Sequence, residues 1–112
     1  DPYTNTRREF TEAMLNRPIP DAATPQYRTF VSGAQKVLRA LAYHPAMEPN
    51  IDQPFMTPAN KKSRVYFMWD FCGRTLGMAL AIDASLPRST KKVWEEVNER
   101  TVFADVLFHD NS

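Results

Sequence analysis

Residues 64–86 read RVYFMWDFCGRTLGMALAIDASL, the most hydrophobic stretch of the chain. How this stretch folds decides the architecture. As a helix it places Val65, Trp69, Cys72, Leu76 and Ala79 on one face. Gly73, Gly77 and Ala81 then form a stripe of small residues that lets another backbone come close. Asp70 and Arg74 fall at i,i+4, a pairing worth about 0.2–0.5 kcal/mol on a helix surface. The start of such a helix is expected near Thr57-Pro58, a cap followed by a proline at the first helical position.

A second period runs through the same residues. Val65, Phe67, Trp69 and Phe71 alternate, and Leu76, Met78, Leu80 and Ile82 alternate again beyond Cys72-Gly73-Arg74, as in a hairpin over about 64–83. The Met, Leu and Ala content of the second half favours the helix. Asp70, Arg74 and Asp83 interrupt the stretch, and each charge near a bilayer centre costs about 2.5–3.5 kcal/mol. No transmembrane span is expected, although a place in a membrane-associated complex stays open.

Working outward, proline punctuates the rest of the chain because it fixes φ and removes a backbone donor. Pro45, Pro49, Pro54 and Pro58 fall within fourteen residues and mark residues 43–60 as a long extended connector. Before it, Thr24-Pro25 starts an amphipathic helix. Tyr27, Phe30, Val31, Ala34, Val37, Leu38 and Leu41 follow at spacings of three and four, with Arg28, Ser32, Gln35 and Arg39 opposite. Earlier still, Thr6-Arg7-Arg8-Glu9 is a capping box opening a short helix to about Asn16, with Phe10, Ala13 and Met14 on one face. A last segment starts near Ser89 or Thr90, and its end (residues 101–108) turns β-branched and aromatic. The chain therefore reads as one mostly α domain over residues 1–112, with three to four helices and the proline-rich connector. The alternative is an α+β domain containing the hairpin.

The chain has 112 residues with 43% hydrophobic and 24% charged, enough for a core without disulfides. Fourteen Lys and Arg oppose thirteen Asp and Glu, and both signs are spread over both halves. That balance disfavours a general polyanion binder, whose charge is usually strongly basic and gathered on one face. Cys72 is the single cysteine, so no internal disulfide forms. This fits an intracellular location, cytosol or organelle interior. The N-terminal residues lack the apolar core of a signal peptide. The chain begins at Asp1, as expected after removal of a leader or for a piece of a longer protein.

Catalytic signals are sparse. His44 and His109 sit in no metal-ligand spacing, and no P-loop, dinucleotide glycine motif or G-x-S-x-G elbow occurs. A Cys72–His pair could meet only in space. The plainer expectation is a small buried Cys72, with His44 beside the helix C-terminus as a cation and His109 solvated. No cofactor, metal or catalytic residue is expected, and the chain reads as a non-enzyme.

Hydrophobic supply points elsewhere. Thirteen aromatics and five Met have few elements to cover them. Part of the supply, Met47, Ile51, Phe55 and Met56, lies on the connector. With Trp69, Gly73 and Gly77 these residues form the expected partner-binding face of a non-catalytic structural or adaptor subunit, whose partners are other protein subunits. The alternative is a nucleic-acid-binding or coat-like protein. It would use Lys61, Lys62 and Arg64 before the aromatic run to Phe71, and Lys91 and Lys92 before Trp94, pairing phosphates with cations and bases with rings.

Overall fold

Two of the helix starts follow from hydrogen bonds that close within four residues. The Glu9 N–H donates to Thr6 Oγ1 at 3.1 Å and the Thr6 N–H donates to Glu9 Oε1 at 3.2 Å, completing the capping box. The Tyr27 N–H donates to Thr24 Oγ1 at 3.2 Å, with Pro25 next in line. The computed structural model describes residues 3–58, 64–86, 89, 91–92 and 95. It contains α1 (Arg7–Leu15), α2 (Pro25–Ala42), a 3-10 turn (Pro45–Met47), α3 (Glu48–Ile51) and α4 (Arg64–Leu80). The protein is mostly helical, and the described residues include no strand.

The hairpin is not formed: residues 64–80 are one continuous helix. Packing decides between the two periods. Only the helix brings Trp69, Cys72, Leu76 and Ala79 together against Tyr27, Phe30, Val31, Ala34 and Leu38 of α2. The helix does not start at Thr57-Pro58. Neither residue is helical: Thr57 closes a turn by donating its N–H to Pro54 O at 3.0 Å, Pro58 follows that turn, and Arg64 is the first helical residue described. It also ends earlier than Leu86. The Asp83 carboxylate accepts from the Ser85 N–H at 3.0 Å, a local turn that competes with further helix.

The connector is folded rather than extended. Two of its four prolines, Pro45 and Pro49, sit at the starts of the 3-10 turn and of α3, where a missing N–H costs nothing. These turns swing Met47, Ile51 and Phe55 into the core. The far end is pinned to the N-terminus by two backbone bonds, Arg7 N–H to Gln53 O at 2.9 Å and Phe55 N–H to Asn5 O at 2.8 Å. Gln35 on α2 donates to Met14 O at 3.2 Å and Arg17 O at 3.3 Å, tying off the carbonyl end of α1.

One close approach depends on glycine. A Cβ on Gly73 would stand 2.8 Å from the Phe10 ring, which is itself stacked on Phe55 with centroids 4.3 Å apart. A shift of the ring would disturb its stacking on Phe55 and its edge contact with Trp69. Gly73→Ala is therefore expected to destabilise by about 1–3 kcal/mol, less up to about 1 kcal/mol of helix propensity gained. Gly77 has nothing within 4 Å, so Gly77→Ala is expected to stabilise by about 0.5–1 kcal/mol. Thermal unfolding of the two variants checks both signs.

The expected last segment falls mostly outside the described residues, including Trp94, the apolar run at 101–108 and His109. At its start the Lys92 N–H donates to Ser89 Oγ at 3.0 Å.

Candidate functional site

The residues expected to face a partner are divided by the fold. Met47, Ile51, Phe55, Trp69 and Gly73 are buried in the chain's own interior. Met56 is exposed and Gly77 half-buried. Trp69 packs edge-on to Phe10 and Phe55, with centroids 5.8 and 5.3 Å away, and its indole N–H donates to Thr11 Oγ1 at 2.9 Å. The small-residue stripe is likewise divided: the Gly73 gap is filled by Phe10, while Ala81 lies beyond the end of α4.

At the junction of α1, α3 and α4 lies a group that sequence reasoning missed. Arg7 is 0% exposed. Successive helical residues point about 100° apart, so of Arg7 and Arg8 one turns inward when α1 packs. The Arg7 guanidinium donates to Asn50 O at 3.1 Å, Gln53 Oε1 at 3.3 Å, Thr57 O at 2.5 Å and Tyr66 Oη at 3.3 Å. It also lies over the Tyr66 ring, 4.7 Å from its centroid. Carbonyl dipoles and a π face stabilise the cation in place of a carboxylate. Arg7 Nε and both amide atoms of Asn50 are buried without a hydrogen-bond partner. Removing the cation from such a hub would leave its acceptors unpaired.

Beside it, Arg8 faces outward and pairs with Asp52 through contacts of 2.8 and 3.3 Å. The hydrogen bond from Arg8 holds the Asp52 carboxyl below its ordinary range. This contribution is present above the unfolded carboxylate pKa and is lost as pH falls through the lowered one. Arg8, Tyr43, His44, Pro45, Glu48 and Ile51 line a half-open cavity of about 270 Å³. At its edge the Tyr43 hydroxyl donates to Glu12, which raises the phenol's pKa. His44 caps the turn that follows α2. Its Nδ1 accepts the Ala46 N–H at 3.0 Å and so starts the 3-10 turn. The charged groups Arg8 and Glu12 are each engaged within the chain.

Cys72 is buried, its thiol 3.7 Å from Ala34 O, and burial pushes its pKa up to about 12. An activated nucleophile needs the opposite shift. Native-state alkylation is expected to run on the order of a thousandfold slower than for free cysteine, whose pKa is about 8.5, and to reach the free rate on unfolding. Timed iodoacetamide labelling with and without denaturant measures this. Among the described residues no three His, Cys, Asp or Glu side chains gather as metal ligands.

Of the two basic clusters, Lys61 and Lys62 lie outside the described residues. Arg64, Lys91 and Lys92 are exposed, and Lys91 stands 4.0 Å from Glu95. Arg74 pairs with Asp70 at 3.3 Å across one helical turn. Among the described residues no helix is long and apolar enough to cross a membrane. The chain matches no protein-family model, no curated protein and no solved structure.

Proposed function

We propose that this chain is a non-catalytic structural or adaptor subunit that packs against other protein subunits in an intracellular assembly. The supporting observation is apolar surface that remains after the core is built. Phe67 is 51% exposed, Met56 44% and Leu86 43%. Phe67 lies on α4, whose Trp69, Cys72, Leu76 and Ala79 already fill the core, so this helix carries apolar side chains on more than its buried face. A helix of that kind is usually covered on both sides. The single buried cysteine fits a reducing compartment, cytosol or organelle interior.

Nucleic-acid binding through Lys61, Lys62, Arg64, Lys91 and Lys92 is the competing reading. Glu95 beside Lys91 weakens the local field that it needs. The native mass separates the two. The expected result is a particle many times heavier than the chain that contains it and persists in moderate salt. A complex that dissolves between about 50 and 200 mM salt points to phosphate contacts instead. A monodisperse monomer in the native extract overturns the subunit reading.

A further inference from the structure

The overall charge balance conceals a spatial separation. Helix α2 spans eighteen residues without one Asp or Glu. Its outward side carries Arg28, Ser32, Lys36 and Arg39, all exposed. These positions follow at intervals of four, four and three, so they form one stripe about 16 Å long at 1.5 Å per residue. Arg17 extends the stripe from the chain that leaves α1; its carbonyl accepts from Gln35 of α2. The Arg28 guanidinium donates to Pro20 O at 2.9 Å, which fixes its position without neutralising it. The nearby acids lie on other elements and at the ends of the stripe: Asp21 follows the Pro20 that holds Arg28, Glu9 and Glu12 lie on α1 with Glu12 reaching Tyr43, and Glu48 and Asp52 stand at the ends of α3.

We propose that this face of α2 is a docking surface for an acidic segment of a neighbouring protein subunit. The proposal rests on the subunit reading above. Charge complementarity selects the partner's sign, and the remaining exposed residues select its class. Thr29, Gly33 and Ala40 flank the stripe, and a Cβ on Gly33 would meet nothing within 4 Å. Side chains this small let a folded backbone approach closely. The same face carries a single exposed ring, Tyr43, whose hydroxyl is engaged by Glu12, so it offers no succession of rings on which bases could stack and no large aliphatic side chain to enter a bilayer. An acidic helix or loop satisfies both conditions. Its carboxylates would meet Arg28, Lys36 and Arg39 at the rim, where complementary charge acts chiefly on association rate and specificity.

Lys36 provides the readout, because its amine can be acetylated or coupled to a carboxylate. In the native particle at low salt, acetylation of Lys36 is expected to slow about tenfold or more relative to the isolated chain, as a rim contact excludes the reagent. A water-soluble carbodiimide should join Lys36 to an Asp or Glu of a different protein. Lys36→Arg should abolish that product while leaving the particle intact. Arg28→Glu with Arg39→Glu should lower incorporation about tenfold or more at low salt, with helical content and melting temperature unchanged. Equal acetylation in particle and isolated chain overturns the surface while leaving the subunit reading intact. So does coupling only to a second copy, or protection that nuclease or delipidation removes. A monomeric native chain removes both proposals.

Discussion

Arg7→Met is expected to cost about 3–5 kcal/mol and to lower the melting temperature by at least 10 °C, since a domain of this size loses roughly 4–8 °C per kcal/mol. The side chain is fully buried and reaches Asn50 O, Gln53 Oε1, Thr57 O and Tyr66 Oη together. Methionine fills much of the same volume but leaves these oxygens without their donor. The Asn50 carbonyl is buried, and a buried acceptor deprived of its partner costs about 1–3 kcal/mol; the three part-buried acceptors lose bonds to a charged donor and add to this. Arg7→Lys retains a cation but has one compact head in place of a planar fork, and an intermediate loss is expected. A melting temperature for Arg7→Met within a few degrees of the parent chain would show that the guanidinium does not hold the connector in place.

Trp69→Ala is expected to cost a similar amount, about 3–5 kcal/mol, by removing the largest fully buried side chain among the described residues. Phe10, Phe55 and Tyr66 all contact this ring, with centroids within 6 Å. Its cavity cannot close without moving α1, the connector and α4 together. A finer test separates the hydrogen bond from the packing. Trp69→Phe strands the buried Thr11 hydroxyl, costing about 1–3 kcal/mol beyond the lost ring volume. Adding Thr11→Val removes the stranded group, so part of that loss should be recovered in the double variant. Strict additivity of the two substitutions would mean that the indole N–H and Thr11 are not coupled.

Several features whose partners lie close in sequence are legible in the chain, although Thr57-Pro58 and His44 are not among them. Thr6-Arg7-Arg8-Glu9 and Thr24-Pro25 state their caps locally, and both helices begin at those caps. The Asp70–Arg74 pair needed only the helical repeat. Residues 64–86 were ambiguous because Phe67, Trp69 and Phe71 satisfy a period of two as well as Val65, Trp69, Cys72 and Leu76 satisfy a helical one. Phe67 is half exposed while Trp69 is buried, a difference that local pattern does not contain. The connector misled for a related reason. Its prolines read as a strap, yet Pro45 and Pro49 sit at positions that begin short helical turns.

The candidate surface was legible only in part. Apolar excess is visible in the sequence, but Met47, Ile51, Phe55 and Trp69 are interior, and among the described residues the exposed large apolar side chains are Tyr3, Tyr43, Met56, Phe67 and Leu86. By itself the sequence determined two helix starts and the polar side of α2 and favoured the helical class, because these arise from bonds and repeats spanning a few residues. Only the tertiary structure decided which arginine is buried, where the connector runs and what remains outside. Arg7 meets partners 43, 46, 50 and 59 positions away. No local pattern carries such pairings, since burying a cation becomes tolerable only when distant carbonyls and a ring converge on it.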